Sequence, residues 1–256
     1  MHEFYVNNKK DILRYHDLPG SGAPILFIHG LGCASTYDYP EVVSCMPLNG
    51  NRRILIDLLG YGYSDKPDDF SYSFQNHVEY LVDLVDSLHA EKVNIFGHSM
   101  GGSIAIALAD RIKEKVSSLI ITEGNLDPGG GLTSRRVASF SLDDYLSFGH
   151  DKIIDDSMNN QNEKWATTLK ISNPRAVYFG AKDLVNGSTP TWRELLYSFP
   201  FPCTYIFGTK SLPDTDEQEL SRNGINVFRV NDAGHNMATE NPEGLSKIIW
   251  KGINLK

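Results

Sequence analysis

Gly97-His98-Ser99-Met100-Gly101-Gly102 is the segment of this sequence best suited to covalent chemistry. A serine hydroxyl attacks a carbonyl carbon when a base takes its proton and N–H donors receive the charge that builds on the carbonyl oxygen. A G-x-S-x-G string meets the geometry for this when a strand runs into it and a helix leaves it. The turn is then so tight that the serine takes strained backbone angles and projects its oxygen outward. Gly97 and Gly101 leave room for close packing on either side. The helix start places the Met100 amide near the developing oxyanion. The bland alternative is a glycine-rich turn that happens to carry a serine. His98 is expected to point away and support the turn.

The sequence has eight histidines, so position has to choose among them. His235, in Asp232-Ala233-Gly234-His235-Asn236, follows the last strand-like segment and precedes the last helical one. An open α/β sheet places its active site at such a strand-end loop. A nucleophile first and a histidine last also matches the chain order of hydrolases whose serine sits on such a strand–turn–helix elbow. The alternative is an ordinary surface histidine. His29-Gly30-Leu31-Gly32 ends an apolar run, and a glycine-rich turn there lets the Leu31 N–H face the same pocket. Leu31 and Met100 are therefore the expected pair of oxyanion donors, against the simpler reading of a strand-ending turn. His29 reads as a hydrogen-bonding residue of that turn rather than a second base.

The elements that must hold these residues are legible in the hydrophobic pattern. Short alternating stretches near Glu3–Val6 and Ile12–Tyr15, separated by the polar turn Asn7–Lys10, predict a hairpin. Continuous apolar runs predict buried strands at Pro24–Ile28, Arg53–Asp57, Lys92–Phe96, Ser118–Ile121 and Thr204–Phe207. Asn226–Val230 is a last, more alternating strand. Phe74, Val78, Leu81, Val82, Val85 and Leu88 form one apolar helical face, as do residues after Ser99 and near the C-terminus. Strands alternating with helices predict a mostly parallel sheet covered on both faces. The alternation stops between about Asn125 and Ser198, where short helical patterns carry scattered aromatics. The expected organisation is a core of residues 1–124 and 199–256 with a helical cap over residues 125–198.

The bulk composition narrows the partners. The chain has 256 residues, enough for a core without disulfide or metal staples. Its net charge of −8 disfavours nucleic acid and anionic membrane surfaces. Three cysteines, an odd number without metal-ligand spacing, favour a reducing compartment. The N-terminus lacks the apolar stretch of a signal peptide, and no run is long enough to span a bilayer. The expected location is cytoplasmic.

Together these motifs closely resemble the α/β-hydrolase superfamily. His29–Gly32 resembles its oxyanion turn, Asp57–Pro67 its D-x-x-G-x-G-x-S-D loop, Gly97–Gly101 its nucleophile elbow and Gly234-His235 its histidine loop; Asn241-Pro242-Glu243 is also familiar. The resemblance implies an eight-stranded, mostly parallel sheet flanked by helices, and two-step acyl transfer. Haloalkane dehalogenases and epoxide hydrolases of this superfamily use an aspartate nucleophile, and Ser99 argues against both. One departure matters. Many members place the acid in a G-x-x-D pattern after the seventh strand, where this sequence reads Gly208-Thr209-Lys210-Ser211.

The acid must then come from elsewhere, and Glu123 is the expected one. It lies just beyond Ser118–Ile121, at a strand end facing the crevice, and some branches of the superfamily place a glutamate there. Asp214 is the rival, although Asp214-Thr215-Asp216-Glu217 also reads as a helix start with Asp214 capping and Glu217 reaching back. Asp127 is a distant third. The resulting expectation is a serine hydrolase of carboxylic esters or lactones. It has Ser99, His235 and Glu123 as its triad, no cofactor or metal, and a small, partly apolar substrate. The same triad could instead serve acyl transfer, perhydrolysis or C–C bond hydrolysis. A ligand-binding receptor on the hydrolase scaffold is the alternative from another class.

Overall fold

A computed structural model describes residues 1–6, 10–160 and 162–255. Eight strands form one sheet: β1 (His2–Val6), β2 (Asp11–Leu18), β3 (Ser21–Ile28), β4 (Asn51–Asp57), β5 (Val93–His98), β6 (Val116–Thr122), β7 (Cys203–Gly208) and β8 (Asn226–Val230). Their order is β1-β2-β4-β3-β5-β6-β7-β8. Only β2 runs against its neighbours, pairing antiparallel with β1 and β4. Every strand expected from the apolar runs is present. Most of the turn expected at Asn7–Lys10 lies outside the described residues.

The central strands are buried on both faces, which is why they read as unbroken apolar runs. One face packs on helix α1 (Phe74–Ser87) and helix α2 (Met100–Arg111), whose Leu81, Leu84, Ile104 and Leu108 are fully buried. Ser73 caps α1 by accepting from the Asn76 amide. The other face packs on the C-terminal helix, Pro242–Ile253, through Leu245 and Ile249 against Phe96 and Ile206. Among the described residues no helix is long and apolar enough to cross a membrane.

Between β6 and β7 the described chain forms helices and no strand. The longest of them is Pro174–Asn186. This insertion is fastened to the core at its far side. The Asn173 amide donates to Gly60 O at 2.7 Å, Tyr61 Oη donates to Ala176 O at 2.9 Å, and Asp183 accepts from the Phe74 amide at 2.8 Å. Its buried Val137, Tyr145, Leu169 and Leu184 join the same apolar cluster as α1 and α2.

The D-x-x-G-x-G-x-S-D loop is a fastening. Asp57 is fully buried and accepts from the Thr36 amide (3.0 Å), the Thr36 hydroxyl (2.7 Å) and the Tyr63 amide (3.0 Å). Ser64 donates to Asp57 O and accepts from the Arg14 amide, while Asp65 takes the Ile12 amide and the Arg14 guanidinium. The antiparallel strand β2 is thereby tied to the loop that follows β4. Asp57→Ala strands the buried Thr36 amide and hydroxyl and the part-buried Tyr63 amide, and a buried donor left unpaired costs on the order of 1–3 kcal/mol. Chemical denaturation of Asp57→Ala is expected to show a loss of about 3 kcal/mol or more. A loss under about 1 kcal/mol would refute this account of the loop.

Candidate active site

The chain leaves β5 and turns into α2 at Ser99, whose φ of 53° and ψ of −120° lie in a sparsely populated region. Such a conformation costs about 1–3 kcal/mol and persists only where the surroundings impose it. Here the Ser99 amide donates to Thr122 O of the neighbouring β6 at 2.9 Å, and Ser99 O accepts from the Gly102 amide at 2.8 Å. The turn is closed by contact. A Cβ on Gly97 would sit 2.3 Å from Gly101 O, and one on Gly101 would sit 2.3 Å from Ile28 O. Only glycine lets β3, β5 and α2 approach so closely.

A second strained residue lies one strand away. Glu123 follows β6 with φ of 41°, and its amide donates to Ile206 O on β7. The backbone kink brings its carboxylate between two loops. Oε1 accepts from the Gly208 amide at 2.9 Å, and Oε2 meets His235 Nδ1 at 2.8 Å. The Glu123 side chain is 12% exposed and that of His235 52%. Burial pushes the Glu123 pKa up, but His235, the Gly208 amide and the Ser211 hydroxyl outweigh it. The pKa falls below the ordinary 4.5. Ser211, which occupies the position where a G-x-x-D pattern has its aspartate, thus faces the carboxylate that Glu123 provides.

The rival carboxylates are engaged elsewhere. Asp214 is exposed and accepts from the Asp216 amide at 2.8 Å. The expected reciprocal cap does not form, because the N-cap of Asp216–Arg222 is Thr215 and Glu217 pairs with Arg229 instead. Asp127 pairs with Arg193, which also holds Asp216 and Glu219. That guanidinium joins the insertion to the core beside the site.

His98 does not point away as expected: it lines the same cavity, packs its ring against His235 with centroids 4.7 Å apart, and places Nδ1 3.0 Å from the Thr122 hydroxyl. His29 is fully buried; its Nδ1 donates to Gly30 O at 2.8 Å and its Nε2 accepts from the Leu58 amide. Both support the turns beside them. Desolvation depresses the pKa of each, with His98 down to about 3.

Ser99, His235, Glu123 and Leu31 line one cavity of about 620 Å³. Met100 heads α2 beside it, and the first amides of a helix have no intrahelical acceptor. The insertion supplies much of the wall, including Leu126, Ser134, Trp165 and Leu184. Of the insertion aromatics, Trp165 reaches the cavity. Tyr178 instead packs on Tyr145 and Phe179 and donates to Phe140 O, within the apolar cluster that the insertion shares with α1 and α2. The Gly208 amide and the Trp165 indole, which donates to Leu31 O at 2.8 Å, were not legible in the sequence. Both contacts join residues far apart in the chain with no local pattern.

Buried neutral imidazoles make stability depend on pH. His77, also fully buried, has its pKa lowered by desolvation to about 3. Below the unfolded value of 6.5 the unfolded chain takes up protons that folded His29 and His77 refuse, so stability falls as pH falls from 6.5. Glu123 acts in the same direction, with its contribution present above pH 4.5 and lost as pH drops through its lower folded value. Burial acts the opposite way on Asp38, whose carboxyl is pushed up to about 6, and offsets part of this below that pH. Urea unfolding at pH 7, 6 and 5 is expected to show a net loss of stability, at most about 1.4 kcal/mol per pH unit for each neutral histidine. A flat profile over that range would contradict it.

Comparison with known proteins gives the same architecture. The family model described as alpha/beta hydrolase fold matches residues 23–242. A stretch of 106 residues is 40% identical to 2-hydroxymuconate semialdehyde hydrolase of Pseudomonas putida, covering 41% of this chain and 37% of that protein. The match thus spans little more than a third of that relative's length. Among solved structures, an esterase from Thermogutta terrifontis superposes with a TM-score of 0.79 at 21% identity, over 98% of this chain and 97% of that one. An N-acyl homoserine lactonase does so with a TM-score of 0.75 at 20% identity, over 100% and 98%. The family match runs from β3 through the His235 loop, so it takes in both strained turns and the cavity they face: the chain belongs to the α/β-hydrolase fold family.

Proposed function

We propose that this chain is a serine hydrolase of carboxylic esters or lactones. The 2.8 Å contact between His235 Nδ1 and Glu123, in the cavity that Ser99 also lines, carries the reading. Glu123 fixes the ring with its proton on Nδ1, which leaves Nε2 free to act as a base. Ser99 Oγ attacks the carbonyl as His235 takes its proton. The Leu31 and Met100 amides receive the oxyanion. The tetrahedral intermediate collapses, and His235 gives the proton to the departing alkoxide. Water then attacks the acyl-Ser99 ester with His235 again as base, and the acid leaves.

Residues 125–198 act as a cap in this scheme. They wall the cavity from above and screen the acyl-enzyme from bulk water. The cavity wall also speaks to the substrate. It carries Asp127, Asp214 and Asp216 and, among the described residues, no lysine or arginine, and Arg193 beside it is already held by Asp127, Asp216 and Glu219. A substrate without a carboxylate suits such a wall better than an anionic one.

A second reading, C–C bond hydrolysis by the same residues, draws on the 40% identity with a semialdehyde hydrolase. The name of that relative's substrate, a muconate, denotes a carboxylate, and the guanidinium beside the wall here, Arg193, is already engaged by Asp127, Asp216 and Glu219. The ester or lactone reading is therefore preferred.

A fluorophosphonate probe is expected to label Ser99, and Ser99→Ala to lose both labelling and turnover of nitrophenyl esters. Full turnover by Ser99→Ala would sink the acyl-enzyme mechanism. Glu123→Gln should lower kcat on the order of 10³-fold or more, while Asp214→Asn stays near wild type. The reverse pattern would move the acid to Asp214. Faster cleavage of a dienoate C–C bond than of any neutral ester or lactone would select the second reading.

A further inference from the structure

The turn after β3 is held at two successive carbonyls, and the holders come from different parts of the fold. Gly30 O accepts from His29 Nδ1 at 2.8 Å and from the Cys33 amide at 3.2 Å. A trans peptide is planar, so fixing the Gly30 carbonyl aims the Leu31 N–H in the opposite direction. The next carbonyl, Leu31 O, accepts from Trp165 Nε1 at 2.8 Å. Trp165 stands 134 positions further along the chain, on the insertion helix Glu163–Lys170. The indole also covers Gly32, whose φ is +69°. A Cβ there would lie 3.0 Å from Trp165 Nε1 and 2.8 Å from Leu169 Cδ1. The orientation of the Leu31 amide is therefore set jointly, by the core on one side and by the insertion on the other.

We propose that Trp165 is a positioning residue for the oxyanion turn, so that the insertion controls the barrier to chemistry as well as access to the cavity. The inference rests on the reading of Leu31 as an oxyanion donor. Trp165 half-buries its ring in the cavity wall, so it is placed to touch substrate too. The two roles separate kinetically. A wall residue changes ground-state binding and hence KM. A residue that aims an oxyanion donor acts when charge forms on the oxygen, and so changes kcat.

The test compares Trp165→Phe with Trp165→His in the full chain, with thermal unfolding as the check on folding. Phenylalanine keeps an aromatic ring and loses the donor; histidine restores an N–H. Losing a whole oxyanion donor costs about 10²–10³-fold in kcat, and a donor still present but poorly aimed costs less. Trp165→Phe is expected to lose about tenfold in kcat with KM changed less than twofold. Its affinity for phenylboronic acid, which forms a tetrahedral adduct on the serine, should fall by a similar factor. Trp165→His should recover part of both. A Trp165→Phe variant with kcat and boronate affinity within twofold of wild type would overturn the proposal. So would a change confined to KM, which makes Trp165 a wall residue alone. If Ser99→Ala keeps wild-type turnover, the site reading fails and this inference with it, whatever Trp165 does.

Discussion

The structure turns on a backbone conformation that a serine adopts only under compulsion. At Ser99 the chain passes from a parallel strand into a helix with positive φ, and three constraints hold it there. Thr122 on β6 takes its amide, Gly97 and Gly101 let the chain pack where a Cβ would come within about 2.3 Å of a backbone oxygen, and α2 is pinned by buried leucine and isoleucine side chains. The hydrophobic burial of the helix and sheet thus supplies the free energy that the turn consumes. Thr122 is also where β6 ends and Glu123 begins, so the residue that holds the first strained turn introduces the second.

That adjacency explains how distant residues come into register. Parallel pairing of β5 with β6 sets His98 beside Thr122, and pairing of β6 with β7 sets Thr122 beside Ile206. The Glu123 amide then donates to Ile206 O, and its carboxylate takes the Gly208 amide at the end of β7. His235 arrives from the loop beyond β8 onto the remaining carboxylate oxygen. Because all these strands run the same way, their C-terminal ends lie on one edge of the sheet, and the residues that follow them converge there.

The legibility of the fold in the sequence follows from the same physics. Strands buried on two faces leave unbroken apolar runs such as Ile25–Ile28 and Leu119–Ile121, and amphipathic helices leave a stripe such as Val78, Leu81 and Val85. Residues that stand at strand ends inherit that legibility, and the resemblance to superfamily branches with a glutamate after the sixth strand singles out Glu123 among the carboxylates at that edge. Contacts carried by capping and long-range hydrogen bonds leave no period. Asp214 and Glu217 matched a capping pattern, yet Glu217 found Arg229 across space and the helix began one residue later. Tyr178 and Trp165 looked alike as aromatics in a helical insertion. Only tertiary packing puts one in the apolar cluster shared with the sheet's helices and the other over Gly32.

The way this edge is assembled also bears on how the molecule reaches its native state. Glu123 and His235 are separated by 112 positions, and Trp165 and Leu31 by 134. Loop closure over such spans costs entropy before any contact rewards it, and sheets built from non-local parallel pairs fold slowly for that reason. Each pair joins elements that only the assembled sheet brings to one edge. The cavity is therefore a property of the topology of the whole chain rather than of any local segment.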